Sequence, residues 1–353
     1  MDPIPILHTS SDGPFLRRSL LLLTLLAGFA LIWYAADVFI LAFLGILLAI
    51  LLDALTQWTA ARTKLARGWC FLLVVLAVAA LVAIGIWQLG PRVILQANQL
   101  VGSLPRLLGN VRQYLGKYEW GKVILRQMPA ELGTNVIGKA TALSSKTFEA
   151  ISGVVVALIV GLYVGADPQF YIRGLLRLFP PDKANMAERV LAEVGYTLRW
   201  WILGQLVPMI VLGAATMAGL WLLGVPLAFT LGLFTALMVF IPYLGSLIAL
   251  LATVLVALTQ SATLVLYSAV FFLGIHAAEA YLLTPIVQKR AVFLPPALTI
   301  LVQLLMGILL GFLGLMVATP LTAAALVLVK MLYLHEKPEH HAESPPSAQR
   351  GAA

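Results

Sequence analysis

Charged residues are scarce in this chain. Of its 353 residues only 11% are Asp, Glu, Lys or Arg, against about 25% in an average soluble domain. Across positions 201–334 the charged residues are limited to Glu279, Lys289, Arg290 and Lys330. Because a water-facing surface needs polar side chains, this composition excludes a soluble enzyme, and the high apolar content excludes a disordered chain.

Cysteine is scarcer still, and the common catalytic and nucleotide-binding patterns are missing. The single cysteine, Cys70, excludes an intrachain disulfide and a cysteine-based metal cluster. Its apolar neighbours favour a small buried side chain over a reactive thiol. The chain has no Walker-type phosphate loop, no HExxH and no CxxC. We therefore expect no cofactor, no metal and no enzymatic activity.

What the chain has in abundance is apolar sequence, since 61% of its residues are hydrophobic. These residues fall into runs long enough to cross a membrane as helices. The fold class predicted is an all-α polytopic membrane protein with about six single-span helices and two broken hairpins. The single spans are expected at 19–35, 38–56, 68–89, 150–166, 204–223 and 262–285.

Two apolar segments, 227–259 and 297–333, are much longer than the ~20 residues of one span. Each contains proline and glycine near its middle, which favours a helical hairpin that either re-enters or spans twice. An unpaired backbone group is costly in hydrocarbon, so such breaks line protein or a water-filled cavity, as in transporter binding sites. The breaking residues are Pro242 and Gly245 in the first segment, and Gly311, Gly314 and Pro320 in the second.

Polar stretches divide the chain further. We expect an N-terminal three-helix membrane segment over 1–89 and an extracytoplasmic amphipathic helical segment over 90–148. The fourth helix with a cytoplasmic amphipathic segment, over 149–203, precedes a transport core with both hairpins over 204–334. A polar, proline-rich tail over 335–353 is expected to be disordered and cytoplasmic.

The net charge of +8 reflects basic residues that flank apolar runs. This placement follows the positive-inside rule and favours topology signals over nucleic-acid contacts. Arg17 and Arg18 before the first apolar run place the N-terminus in the cytoplasm, and counting spans places the C-terminus there too. The basic residues of 90–148 are an exception to the positive-inside rule, but that rule constrains long translocated segments only weakly.

Small residues recur at four-residue steps in the fourth predicted helix, at Gly153, Ala157, Gly161 and Gly165. They form one smooth face on which another helix could pack closely. Glycine and alanine are also common in membrane helices in general. Four of them in register favour a packing face.

Glu279 is the most informative single residue, because an ionisable group inside a membrane helix is costly and usually faces protein or water. His276 lies one turn earlier on the same face. The pair could hand on a proton or bind a cation. Alternatively, Glu279 could cap the exposed backbone N–H groups of a broken helix. The residues leave these two interpretations open.

The order of several short motifs resembles the autoinducer-2 exporter family of bacterial permeases. The motifs include Gly204-Gln205, the Ile241–Gly245 segment, Glu279 followed by Thr284-Pro285, and Gly311 to Pro320. The resemblance implies a secondary-type inner-membrane transporter that exports small molecules, with autoinducer-2 export and cation/proton antiport both ascribed to members. It also implies a homo-oligomer. Ser246 and Ala280 depart from the family pattern, which puts the substrate in doubt.

The leading hypothesis is therefore an exporter of a small polar solute or ion, driven by an ion gradient and surrounded by membrane lipids. A membrane scaffold without transport and a passive channel are the alternatives. The candidate substrate-binding, ion-binding or gating residues are Glu279, His276, Pro242, Tyr243, Gly245, Gln205, Thr284, Pro285, Gly311, Gly314 and Pro320.

Overall fold

The computed structural model describes residues 13–117, 119, 122, 147–283 and 294–333. Within these ranges every element is helical and no strand occurs, as the fold class predicted. The elements are α1 (Gly13–Tyr34), α2 (Ala36–Thr63), α3 (Arg67–Leu115), α4 (Thr147–Ala166), α5 (Pro168–Leu176), α6 (Pro181–Leu222), α7 (Ala228–Met238), α8 (Leu244–Leu258), α9 (Ala262–Ala278) with a π-helical turn (Glu279–Leu283), and α10 (Pro296–Tyr333).

Five of the described helices are long and apolar enough to cross a membrane: α2, the Arg67–Gly85 part of α3, α6, α9 with its π turn, and α10. A sixth span forms if α4 is counted together with α5, which bends away from it by 87°. The chain is therefore a multi-pass membrane protein, as its apolar runs predicted.

The span predicted over 68–89 is present at Arg67–Gly85 of α3, but the helix itself does not end there. The expected span stopped at residue 89, but the helix continues past Pro91 and Pro105 to Leu115. Its 49 residues correspond to roughly 73 Å at 1.5 Å per residue, more than twice the ~30 Å hydrocarbon core. Apolar residues keep helical spacing through both prolines, so the helix tolerates two missing backbone hydrogen bonds and extends beyond the membrane.

Helix α6 corrects a second boundary. The sequence predicted a cytoplasmic segment over 167–203 and a separate span over 204–223. Instead one 42-residue helix runs from Pro181 to Leu222 with Pro208 buried inside it. It packs against α2 and α10 in a core formed by Leu47, Leu198, Trp201, Ile202 and Ala324. Packing against α2 and α10 stabilises one continuous helix where the sequence predicted a boundary between two segments.

The small-residue face of α4 packs on α2, as predicted. A Cβ placed on Gly161 would lie 2.8 Å from the Leu48 Cδ2 atom and 3.1 Å from the Gly45 carbonyl oxygen. At Gly165 it would lie 3.5 Å from the Ala49 Cα. The two backbones therefore approach closely, and a side chain at Gly161 would displace Leu48.

Both long apolar segments are helical hairpins. Hairpin 1 consists of α7 and α8, joined by residues 239–243. Hairpin 2 consists of the two arms of α10, residues 296–310 and 312–333, which meet at Gly311 with φ 64° and ψ −146°. Pro320, predicted to belong to the second break, lies inside the second arm instead. A backbone conformation open to glycine turns the chain, while Pro320 is accommodated within a helix.

Candidate functional site

The turn of hairpin 1 is tight and strained. Tyr243 has φ 62° and ψ −64°, and the Leu244 N–H donates to the Pro242 carbonyl over 2.8 Å. These values define a γ-turn of the rare form, which ordinary side chains adopt only when the surroundings enforce it. The break predicted from Pro242 is therefore present, and Tyr243 stands at its centre.

Gly245 allows this turn to fold back on the end of α7. A Cβ at this position would overlap the carbonyl oxygen of Met238, so no other residue fits without moving backbone. The Gly245 N–H donates to the Ile241 carbonyl over 2.9 Å. Glycine is thus required at position 245 because the turn approaches the backbone at the end of α7 so closely.

Gln205 reaches the same turn from α6. Its side-chain Nε2 donates to the Val239 carbonyl over 2.5 Å, 34 residues further along the chain. That carbonyl lies beyond the last turn of α7, where helix carbonyls lack intrahelical partners. The bond fastens the open end of α7 to the long helix α6.

Glu279 lies on the other side of the turn. It ends α9 and begins the π-helical turn Glu279–Leu283, and it is partly buried. The charge of Glu279 reaches the phenol of Tyr243, whose side chain is 48% exposed. Glu279 therefore lies within electrostatic range of the hairpin 1 turn.

His276 shares this end of α9. Its Nδ1 lies 3.0 Å from the Phe272 carbonyl oxygen, and its ring stacks on the Phe272 ring with centroids 4.2 Å apart. The other ring nitrogen, Nε2, is buried without a hydrogen-bond partner among the described residues. One imidazole nitrogen is thus available for a group that enters from outside the described chain.

The π turn replaces the regular helix that the sequence predicted over 262–285. π-helical turns insert an extra residue into a helix and occur often at functional sites. Here the change of register begins at Glu279 itself. The predicted site residues Thr284 and Pro285 lie outside the described residues.

Hairpin 2 has its own close approach at its turn and a polar contact deep between its arms. A Cβ at Gly314 would overlap the Met306 carbonyl oxygen in the first arm. The side chain of Gln303 is fully buried, and its Nε2 donates to Thr319 Oγ1 in the second arm over 3.2 Å. Its Oε1 has no hydrogen-bond partner in the described part of the chain.

Gln303 and Thr319 were missing from the predicted site. An amide in an otherwise apolar helix and a hydroxyl directly before Pro320 were the available signals. Exchanging the amide's nitrogen and oxygen would only transfer the missing partner from Oε1 to Nε2. Hairpin 2 therefore contains one unsatisfied polar atom in either orientation, which is costly unless something meets it.

Helix α6 contacts both hairpins. Hairpin 1 packs against α6 and α9, whereas hairpin 2 packs against α6 and α2. The predicted residues at the first turn, Gln205, Pro242, Tyr243, Gly245 and Glu279, thus form one group. Gly311, Gly314 and Pro320 belong to a second group, in hairpin 2.

An apolar groove of about 450 Å³ also opens between α6 and α7. Its large lining side chains are apolar: Met209, Ile210, Met217, Trp221, Phe229 and Leu233. Such a lining offers a polar solute few hydrogen-bond partners, chiefly the indole N–H of Trp221. Among the described residues no group of three His, Cys, Asp or Glu side chains could hold a metal ion.

Broken helices and a partly buried ionisable residue inside a multi-pass helical fold are typical of membrane transporters. The chain belongs to a family of such proteins: the family model described as AI-2E family transporter matches residues 22–333.

Three similar proteins all carry the name "Putative transport protein". YrrI of Bacillus subtilis is 28% identical over 178 residues, which is half of each chain. YueF of Bacillus subtilis is 21% identical over 295 residues, covering 78% of this chain and 80% of YueF. MT0215 of Mycobacterium tuberculosis is 27% identical over 349 residues, covering 90% and 91%. Transport is thus the activity in which the relatives' names agree.

Proposed function

We propose that this chain is a secondary-type transporter that exports a small polar solute or ion at the expense of an ion gradient. The observation that carries the proposal is the placement of Glu279 beside the strained turn of hairpin 1. An ionisable side chain inside a membrane helix commonly marks the path of an ion or a proton. Broken backbone next to it supplies polar groups for a solute.

The coupling step follows from this arrangement. A proton or cation bound at Glu279 would neutralise the charge that reaches Tyr243, and this difference would shift the turn between two arrangements. Gln205 holds the end of α7 during this change. A solute that binds at the turn would then meet two arrangements, one for each protonation state.

The alternatives make different demands on the same residue. A membrane scaffold without transport needs Glu279 only for folding. A passive channel needs a polar path but no titrating group, so its flux would not follow an imposed proton gradient. The family and the names of the relatives favour a transporter over a scaffold.

The test is flux through vesicles that contain the purified full-length chain. Vesicles loaded with a fluorescent pH indicator receive a sodium or potassium gradient, and autoinducer-2 uptake is followed in parallel under an imposed pH gradient. Glu279→Gln keeps the side chain's shape but cannot ionise. We expect it to fold like the unaltered protein and to lose gradient-driven flux by at least tenfold.

Glu188→Gln is the matched control, since Glu188 is exposed on the first part of α6. It removes one carboxylate and should leave flux unchanged. Unaltered, gradient-responsive flux in Glu279→Gln would contradict proton coupling through Glu279. Flux that ignores the gradient in every variant would favour a passive channel, and no flux of any probe would favour a scaffold.

We also propose a bacterial inner-membrane location with both termini in the cytoplasm, and assembly as a homo-oligomer. The basic residues around α2 and α3 support this orientation. A topology reporter fused after Glu343 should therefore report the cytoplasm, and one inserted near Gly121 should report the periplasm. A cytoplasmic signal at Gly121 would reverse the predicted direction of α3 or α4.

A further inference from the structure

Helix α5 turns away from α4 by 87°, and local sequence fixes that bend. The Asp167 carboxylate accepts a hydrogen bond from the Phe170 N–H over 3.1 Å, which caps the new helix. Pro168 occupies its first position, where its missing N–H costs nothing. Because α4 packs along the spanning helix α2, α5 must run nearly parallel to the membrane plane.

The depth of α5 follows from the neighbours of its starting point. A Cβ at Gly165, two residues before Asp167, would lie 3.2 Å from Phe71 in the first turns of α3. At this end of α3, Arg67 pairs with Asp53 over 2.8 Å. Charged side chains appear in spanning helices chiefly where the hydrocarbon core ends. Helix α5 therefore lies at the level of the lipid headgroups.

The exposed surface of α5 carries an apolar pair and a basic pair, and Phe170, 66% exposed, lies beside the basic pair. Tyr171 and Leu175 are 41% and 43% exposed and lie close together on one side. Arg173 and Arg177 are one turn apart on the other side and are exposed. Neither arginine forms an ion pair among the described residues. An apolar side next to an unpaired basic side is typical of a helix that lies in a membrane interface.

Continuation of the chain strengthens this assignment. Leu178 and Phe179, directly after α5, are 78% and 44% exposed. At the α2 end, Arg62 lies 4.5 Å above the ring of Trp58, which is 59% exposed. Tryptophan beside basic residues is characteristic of the membrane–water boundary. Both features belong to the end of the protein that carries Arg67.

We propose that α5 is an interfacial helix that binds anionic phospholipid headgroups through Arg173 and Arg177 while Tyr171 and Leu175 enter the acyl region. Charge complementarity selects an anionic lipid, because the two guanidinium groups have no carboxylate partner within the described chain. The bend at Asp167 supplies the orientation. This role is independent of which solute the protein moves.

Site-directed spin labelling tests the position of the helix. In full-length protein carrying Cys70→Ala, a nitroxide is attached at Leu175→Cys or at Gln169→Cys, about 120° away around the helix axis. In vesicles containing phosphatidylglycerol, we expect the Leu175 label to be accessible to oxygen and protected from a water-soluble nickel chelate. The Gln169 label should show the opposite preference.

Equal nickel accessibility at both positions would overturn the proposal, since α5 would then lie in water. Protection of the Leu175 label from both reagents would also overturn it, in favour of a protein contact such as a second copy.

Thermal unfolding tests the headgroup specificity. Phosphatidylglycerol should raise the Tm more than phosphatidylcholine does, and the double variant Arg173→Gln/Arg177→Gln should lose at least half of that difference. The control Lys183→Gln/Arg189→Gln removes the same charge from exposed positions on α6 and should retain it. Equal losses in the two double variants would contradict a site on α5. An equal rise in Tm with inorganic phosphate would reduce the effect to simple anion binding.

Discussion

Gln205 and Val239 are joined by a hydrogen bond from the side-chain amide of one to the backbone carbonyl of the other. This bond fastens α6 to the end of α7, at the place where hairpin 1 has its strained turn at Tyr243. The Gln205 amide thereby satisfies the Val239 carbonyl, which lacks an intrahelical partner and which water does not easily reach within a membrane.

Replacing Gln205 by Leu should destabilise the protein by about 1–3 kcal/mol, because the Val239 carbonyl would remain buried without a donor. The measurement is thermal unfolding of the purified variant in detergent. Gln260→Leu serves as the control, since Gln260 is exposed at the end of hairpin 1 and should leave stability nearly unchanged. Equal Tm values for the two variants would show that the bond contributes nothing to stability.

Gly245→Ala should reduce the yield of folded protein severely, because the added Cβ would overlap the Met238 carbonyl oxygen. Size-exclusion chromatography of a fluorescent fusion measures the folded fraction. Gly274→Ala adds the same methyl group on α9 where no atom lies within 4 Å. That control should fold normally or gain up to about 1 kcal/mol. Similar yields for the two variants would mean that the turn can relax.

Gly161→Leu should damage folding more than Leu158→Ala does, although both changes lie on α4. Gly161 faces α2 at close range, whereas Leu158 is 45% exposed and offers its side chain to lipid. The folded fraction in detergent again gives the comparison. A tight α2–α4 interface is contradicted if the two variants are recovered equally.

Tyr243→Phe should alter the pH dependence of transport without a large loss of folded protein. The ring that occupies the turn is retained, and only the hydroxyl near the Glu279 carboxylate is removed. Initial flux rates between pH 5 and 9 provide the profile. Tyr267→Phe removes an exposed hydroxyl from α9 and should leave the profile in place. An unchanged pH profile in Tyr243→Phe would show that the tyrosine hydroxyl takes no part in the pH-dependent step.

Gln303→Met tests whether the buried amide of hairpin 2 serves transport rather than stability. It replaces a buried amide that has one unsatisfied atom by an apolar side chain of similar size, so the Tm should stay the same or rise. If the amide serves a passing solute or water, flux should fall at least fivefold. Unchanged flux together with an unchanged or raised Tm would assign Gln303 no part in transport.

The positions of the two turns could be predicted from sequence because proline and glycine leave a local signal. Pro242, Gly245 and Gly311 change what the backbone can do, whatever surrounds them. Proline alone is not sufficient, because Pro91, Pro105, Pro208 and Pro320 all lie inside helices. There, contacts or long apolar periodicity outweigh the loss of one hydrogen bond, and neither effect is visible in a short window of sequence.

The partners within the site were harder to predict. Gln205 and Glu279 were named from a family resemblance and from charge, but the bond to Val239 and the π turn depend on how distant helices meet. Gln303 and Thr319 lie 16 residues apart and touch only because Gly311 reverses the chain. Contacts of this kind follow from tertiary packing, to which local propensity contributes little.

Helix α6 couples the two hairpins mechanically. Gln205 ties it to hairpin 1, while Trp201 and Ile202, one turn away, pack in one cluster with Ala324 of hairpin 2. A small rotation of α6 about its axis would displace both hairpins together. The two hairpins are therefore coupled through α6, and a displacement of one would reach the other through this cluster, against which Phe240 of the hairpin 1 turn also packs.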